Sequence, residues 1–271
     1  MLVHRVPWLL TSCSWLPGVP FSVSNARYIP RLAVAVPRHR SFSTSMASTT
    51  TLTAAESDDM RRQKQALRKE IRQRLRDLSS DEVETQSNQV WERLFCLPEY
   101  QEARTVGLFL SMPQHEIKTE AALRHCVENG KIIYVPQVGK NFEQADMELL
   151  RVILPEADHP SNDIFYHSWP RNKWGIPEPP ASMPQEVAQP GDIDLIVVPG
   201  LGFDRRGNRI GQGKGYYDRF IARTMTGNAK HPKLVAVALQ CQLVEDIPVS
   251  PLDCVMHKVL VPSETIQVST T

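Results

Sequence analysis

Between Val198 and Arg219 the chain places six of its thirteen glycines, at 200, 202, 207, 211, 213 and 215, within sixteen residues. The run follows an apolar stretch, Ile193 to Val198, that reads as a buried strand, and it leads into a helix starting near Tyr216. Strand, glycine loop and helix in that order belong to an open α/β sheet, where ligands bind outside the carboxyl ends of the strands. Upstream, a strand at Val106 to Leu110, a helix from Ile117 to Asn129 closed by Gly130, and a strand at Ile132 to Val135 form a β-α-β unit. Further strands are expected at Met147 to Val152, Leu234 to Leu239 and, last, Lys258 to Val261. Residues 139 to 192 are rich in proline and poor in periodicity, so irregular connections are expected around the strand near Met147. The pattern predicts a single α/β domain over 56–271, a mostly parallel sheet flanked by helices with its ligand site at the carboxyl ends of the strands.

Two helices precede the sheet. Leu67, Ile71, Leu75 and Leu78 form one apolar stripe of a helix from Asp58 to Leu78, with Ser57 as its expected N-cap. Its other faces carry eight Lys and Arg, among them Lys64 and Arg68, four apart on one side. Ser79-Ser80-Asp81-Glu82 has the spacing of a capping box, and Val83, Val90, Trp91, Leu94 and Phe95 continue as a second amphipathic helix that stops before Pro98.

Charge divides the chain. Residues 1 to 55 hold five Arg and no Asp or Glu, which leaves the body mildly acidic. A Ser-rich, Arg-bearing, acid-free leader has the composition of a disordered mitochondrial presequence, to be set aside from fold reasoning. A secretory signal over Val6 to Leu16 competes, but Pro7 and Pro17 flank it. Met46-Ala47-Ser48 offers a second start, and with it a cytoplasmic form. The five cysteines are odd in number, widely spaced and free of any C-x-x-C pair, so neither a disulfide framework nor a zinc ribbon is expected. No run reaches the roughly 18 apolar residues of a spanning helix. The first helix invites a nucleic-acid reading, but the body is acidic and lacks interleaved aromatics. Neither nucleic acid, membrane nor an obligate protein partner is expected.

Glycines let backbone N–H groups approach an anion, a helix N-terminus adds roughly half a positive charge at the same point, and Arg209 and Lys214 supply full charges. The segment is neither standard phosphate loop: a Walker A would need Gly at Asn208 and Ser or Thr at Gly215, and G-x-G-x-x-G would need Gly at Tyr216. One glycine alone would read as a turn; six beside Arg, Lys and two Tyr read as a phosphate site. Asp218, just inside the helix, suits Mg²⁺ held against phosphates, although alone it would read as a first-turn carboxylate.

This loop, with Lys64-x-x-x-Arg68, resembles the 5-formyltetrahydrofolate cyclo-ligase family, the 5,10-methenyltetrahydrofolate synthetases. The likeness extends from residue 60 to about 262. It includes Phe109-Leu110-Ser111-Met112 with Glu116, Trp174-Gly175-Ile176-Pro177, and Ile247-Pro248-Val249 leading to Asp253. The resemblance implies conversion of 5-formyltetrahydrofolate and ATP, with Mg²⁺, into 5,10-methenyltetrahydrofolate, ADP and phosphate. It assigns ATP contacts to Lys64, Arg68, Arg209, Ile210, Gly211, Gln212, Gly213, Lys214, Gly215, Tyr216 and Tyr217, with Arg209 and Lys214 catalytic. Leu110, Met112, Glu116 and Trp174 fall on the folate side, bordered by Gln212 to Tyr216; Asp218 and Asp253 are metal-associated. Two features depart from common members: Pro113 lengthens the Leu110 to Glu116 segment by one residue, and His257 stands where many carry Asp. Two other readings stay open, a non-catalytic folate- or nucleotide-binding relative and a small-molecule kinase.

Overall fold

The computed structural model describes residues 54–139, 147–153, 166–184, 186–226 and 229–269; the expected leader lies outside them but for its last two residues. Three helices come first: α1 (Ala54–Arg76), α2 (Ser80–Phe95) and α3 (Pro98–Glu102). They are followed by β1 (Thr105–Gly107), α4 (Glu120–Glu128), β2 (Ile132–Val138), β3 (Met147–Arg151), β4 (Leu195–Val198), β5 (Gly202–Phe203) and β6 (Arg209–Ile210). The chain continues through α5 (Tyr216–Thr224), β7 (Lys233–Val237), a 3₁₀ turn at Gln240–Gln242, β8 (Lys258–Leu260) and β9 (Thr265–Gln267).

Seven strands form one sheet in the order β3-β2-β1-β4-β7-β8-β9. The pairings β2–β1, β1–β4, β4–β7 and β7–β8 are parallel, and only the outer ones, β3–β2 and β8–β9, are antiparallel. The expected mostly parallel α/β sheet is the one observed. Strand order reverses between β1 and β4, and it is outside such a switch point that open sheets hold ligands.

The apolar runs in β4 and β7 are continuous because both faces of the sheet are covered. Leu195, Val197, Val235 and Val237 share one core with Ile71, Leu75, Trp91, Leu94 and Leu123 of α1, α2 and α4. Ile196, Val198, Leu234 and Ala236 point the other way, into a second core with Phe220 and Ile221 of α5. At about 2 kcal/mol for each fully buried large aliphatic chain, this alternation outweighs the weak sheet propensity of such short strands. At the amino ends of the strands, Asp194 accepts the N–H groups of Arg104 and Thr105 at 2.8 and 3.0 Å and pairs with Lys230 at 2.6 Å.

Several boundaries differ from expectation for identifiable reasons. α1 starts at Ala54, so Ser57 lies in its first turn and caps nothing. The capping box of α2 forms as expected, Ser79 Oγ accepting from Glu82 N at 3.2 Å while the Glu82 carboxylate accepts from Ser79 N at 2.8 Å. Pro98 ends nothing beyond α2; it opens α3 from the first-turn position, where a missing N–H costs least. α4 starts three residues later than expected, at Glu120. Its flanking Thr119 spends its hydroxyl on Ser111, accepting from Ser111 N at 3.1 Å, instead of capping the helix. β9 follows β8 where no further strand was expected, because Thr265-Ile266-Gln267 offers a single apolar residue and no readable period.

Candidate active site

The carboxyl ends of β1, β2 and β4 open into one cleft of about 610 Å³. Phe109 and Leu110 beyond β1, Pro136 and Val138 of β2, and Pro199 to Leu201 beyond β4 form its floor. Every sequence-predicted site residue lines it: Lys64, Arg68, Leu110, Met112, Glu116, Trp174, the whole run Arg209 to Asp218, and Asp253. Sequence positions 189 residues apart meet here, Lys64 Nζ pairing with the Asp253 carboxylate at 2.5 Å.

α1 supplies one wall. Lys64, Arg68 and Arg72, spaced four and four, lie along one face of the helix. Arg68 Nε donates to the Gly211 carbonyl at 2.9 Å, and Arg72 Nη2 donates to Gln212 Oε1 at 2.7 Å. The basic face of α1 is thus the clamp that holds the glycine loop. Arg72 was missed from the sequence, although the i, i+4, i+8 spacing with Lys64 and Arg68 carries the signal.

The loop itself is held from below by Asp204, a fully buried carboxylate between β5 and β6. It accepts from the backbone N–H groups of Arg206 and Asn208 at 2.9 and 3.0 Å and from the Asn208 amide at 2.8 Å. Past this brace the chain takes left-handed turns at Gly213 (φ 99°) and Gly215 (φ 71°), conformations that side chains resist. Gly215 is also the N-cap of α5 and offers no side-chain acceptor. The first N–H groups of α5 are left for whatever anion occupies the cleft.

Arg209 is the buried charge of the site, its side chain only 5% exposed. Nη2 pairs with Asp218 at 2.6 Å, Nη1 donates to the Pro199 carbonyl at 3.4 Å, and the guanidinium lies 5.8 Å from the centre of the Tyr217 ring. Its Nε has no partner. Among the described residues, Arg209 Nε and Tyr216 Oη are the two buried side-chain polar atoms without a hydrogen bond, and both residues line this cleft. Buried donors are rarely left unmade, so the pair marks where a ligand's oxygens belong.

The opposite wall is more apolar. Trp174, 37% exposed, stands edge-on to Tyr216 with ring centres 6.4 Å apart. Its loop is built on Asn172, whose Oδ1 accepts from Trp174 N and Ile176 N at 2.9 and 3.1 Å while Nδ2 donates to Glu178 at 2.9 Å. Glu116 accepts from Met112 N at 2.6 Å. Burial raises its carboxyl to about 7, against the opposing pull of that N–H bond and of Lys118. Tyr217 is pushed far above the ordinary phenol value, by burial first and then by the Glu116 charge, so it stays protonated. Asn172 and Glu178 also escaped the sequence reading; Asn two residues before Trp-Gly was the available turn signal.

His257 does not line the cleft. Its Nδ1 accepts the Leu234 N–H at 2.8 Å where the β7–β8 ladder begins, and burial depresses its basicity. An imidazole nitrogen does there what a carboxylate oxygen would do, accept one backbone proton.

The family model for the 5-formyltetrahydrofolate cyclo-ligase family matches residues 60–262. A mouse 5-formyltetrahydrofolate cyclo-ligase is 34% identical over 198 residues, covering 73% of this chain and 92% of the mouse protein. A mitochondrial 5-formyltetrahydrofolate cyclo-ligase of Arabidopsis thaliana is 26% identical over 235 residues, 82% of each chain. Among solved structures, the Aquifex aeolicus 5,10-methenyltetrahydrofolate synthetase superposes with a TM-score of 0.60 at 27% identity, covering 77% of this chain and 94% of that one. With a glycine loop clamped by α1, two unmatched buried donors at the switch point and a family match across three quarters of its length, the chain belongs to the 5-formyltetrahydrofolate cyclo-ligase family.

Proposed function

We propose that the protein converts 5-formyltetrahydrofolate to 5,10-methenyltetrahydrofolate at the expense of ATP, through a phosphorylated formyl oxygen. The observation that carries this reading is the division of one cleft into a cationic glycine-loop side and an aromatic side holding Glu116. A formyl amide is a poor electrophile and its oxygen is a poor leaving group. Transfer of the γ-phosphoryl group to that oxygen breaks the bond to ADP and makes phosphate the leaving group. N10 then attacks the formyl carbon, phosphate departs, and the N10 proton passes to water. Phosphoryl transfer asks mainly for positioning and charge neutralisation, and no covalent nucleophile is needed.

Lys64 and Arg68 set the loop against the triphosphate, and the backbone from Ile210 to Gly215 with the start of α5 wraps it. Arg209 and Lys214 face the charge that moves, and Arg209 Nε with Tyr216 Oη supplies the donors that the folded chain leaves unused. Asp218 and Asp253 border the same cleft but are paired with Arg209 and Lys64, and among the described residues no cluster of three or more His, Cys, Asp or Glu stands ready for a metal, so a divalent cation held there would take most of its ligands from phosphate oxygens and water. Bound Mg²⁺ would neutralise phosphate charge during transfer. Release of ADP and phosphate that depends strictly on 5-formyltetrahydrofolate tests the reading; a phosphorylated product instead of free phosphate would favour a kinase.

Glu116 gives the reaction a pH signature. Above about 7 its carboxylate is ionised and accepts from the pterin's amino edge; below that value it is protonated and loses this capacity. Accordingly kcat/KM for the folate, which reports the free enzyme, is expected to fall about tenfold per unit as pH drops below 7. Glu116→Gln should flatten that limb, and an unchanged profile in the variant would remove Glu116 from this role.

Residues 1–55 act, in this reading, as a mitochondrial targeting segment, with a cytoplasmic form from Met46. The acid-free, Arg-bearing composition supports it. Fusion of residues 1–45 to a fluorescent protein should direct it to mitochondria, and a diffuse cytosolic signal would reject it.

A further inference from the structure

The two loops on the aromatic side of the cleft meet at Pro113 and Gly175, and none of the roles above uses Pro113. Residues 111–119 leave the wall and return to it, closed at the base by Ser111 Oγ accepting from Thr119 N at 3.0 Å and Thr119 Oγ1 accepting from Ser111 N at 3.1 Å. At the tip, His115 adopts φ 60°, a left-handed conformation uncommon outside glycine. Lys118 Nζ donates to the Pro113 carbonyl at 2.7 Å. The second loop, carrying Trp174, is equally closed: Gly175 N donates to the Asn172 carbonyl at 2.9 Å, and Arg171 Nη1 donates to the Gly175 carbonyl at 2.8 Å.

Gly175 turns its bare Cα to Pro113. A Cβ there would stand 2.9 Å from Pro113 Cγ and 3.3 Å from Cδ, so the pyrrolidine ring occupies the space that a side chain would fill. Behind the contact lies a second hollow of about 350 Å³, bordered by both loops at Met112, Pro113, Arg171 and Pro177. Ile117 of the first loop belongs to the main core and Ile176 of the second packs against it, so both loops are anchored at their bases, and the contact of Pro113 with Gly175 joins them outside that core.

We propose that Pro113 is a positioning residue, whose ring seated on Gly175 sets the gap between Glu116 and Trp174 and thereby the fit of the folate. The proposal rests on the assignment of those two residues to the folate side. The ring acts on binding, away from the transferring phosphoryl group, and it is accommodated because its neighbour across the gap is a glycine.

Pro113→Gly removes the ring and is expected to raise KM for 5-formyltetrahydrofolate about tenfold, with kcat and KM for ATP within twofold. In the same protein without ligand, the emission of Trp174, isolated by difference against Trp174→Phe, should shift to the red as the indole loses its support. Pro113→Val, which keeps a branched apolar group on Gly175, should recover most of both effects. Unchanged emission and KM in Pro113→Gly would overturn the proposal, as would a proportional change in kcat and in KM for ATP. Trp174→Ala and Glu116→Gln are measured alongside: if both raise KM for the folate while Pro113→Gly does not, the proposal alone falls. If neither raises it, the assignment of the folate side falls and the proposal goes with it.

Discussion

Replacing Lys214 by alanine is expected to lower kcat about a thousandfold while leaving the fold intact. Lys214 is exposed at the rim of the glycine loop, between the left-handed Gly213 and Gly215, and makes no ion pair among the described residues. Its removal costs no packing, so thermal stability should stay within about 0.5 kcal/mol of the parent. What it does supply is a full positive charge at a site where backbone N–H groups already converge. Losing one preorganised group aimed at developing charge typically costs about 3–4 kcal/mol of barrier, or a factor of a few hundred to a thousand. Single-turnover measurement separates this from binding. A kcat within threefold of the parent would remove Lys214 from the transfer step.

Arg209→Ala should have the opposite profile, large in both stability and turnover. The Arg209 side chain is 5% exposed and pairs with an Asp218 side chain that is 21% exposed. Truncating it strands that carboxylate and empties the space above Tyr217. Breaking a fully buried pair costs 3–5 kcal/mol, and the partial exposure of Asp218 places this one near about 3 kcal/mol, or roughly 6–12 °C in Tm. The double variant Arg209→Ala/Asp218→Ala should regain most of the lost stability, because both partners are then gone, yet remain inactive. Urea unfolding of the two variants checks the first half and phosphate release the second. Equal stability of the single and double variants would show that the pair is not what Arg209 contributes.

The glycine-loop side of this cleft was legible in the sequence because its parts are close along the chain, whereas Leu110, Met112, Glu116, Trp174 and Asp253 were assigned only through the family resemblance. Arg209 to Asp218 is one continuous segment, and the helix periodicity of Lys64 and Arg68 puts both on one face without any tertiary information. Arg72 has the same period but was passed over, since the partner it meets, Gln212, lies 140 residues away. Asp204 was invisible for a related reason: an Asp before Arg-Arg-Gly looks like any turn residue, and only the fold shows that it is fully buried and braces the loop. Central strands were readable from their double-sided apolar runs. Of the edges, β3 was expected at Met147 to Val152 and lies at Met147–Arg151, whereas β9 was not expected, because it has one buried residue and no readable period. His257 was read only as a departure from common members, with its consequence open, and its ring serves a backbone N–H in the sheet.

The central claim is that one cleft couples ATP to ring closure on a folate. The direct measurement is absorbance in the methenyl-folate band when the full-length protein is mixed with 5-formyltetrahydrofolate and Mg-ATP, beside a control without ATP. The account predicts a band that grows only with ATP present, accompanied by equimolar phosphate. Binding of both ligands without growth of the band would contradict it and leave a folate- and nucleotide-binding member of the family without turnover.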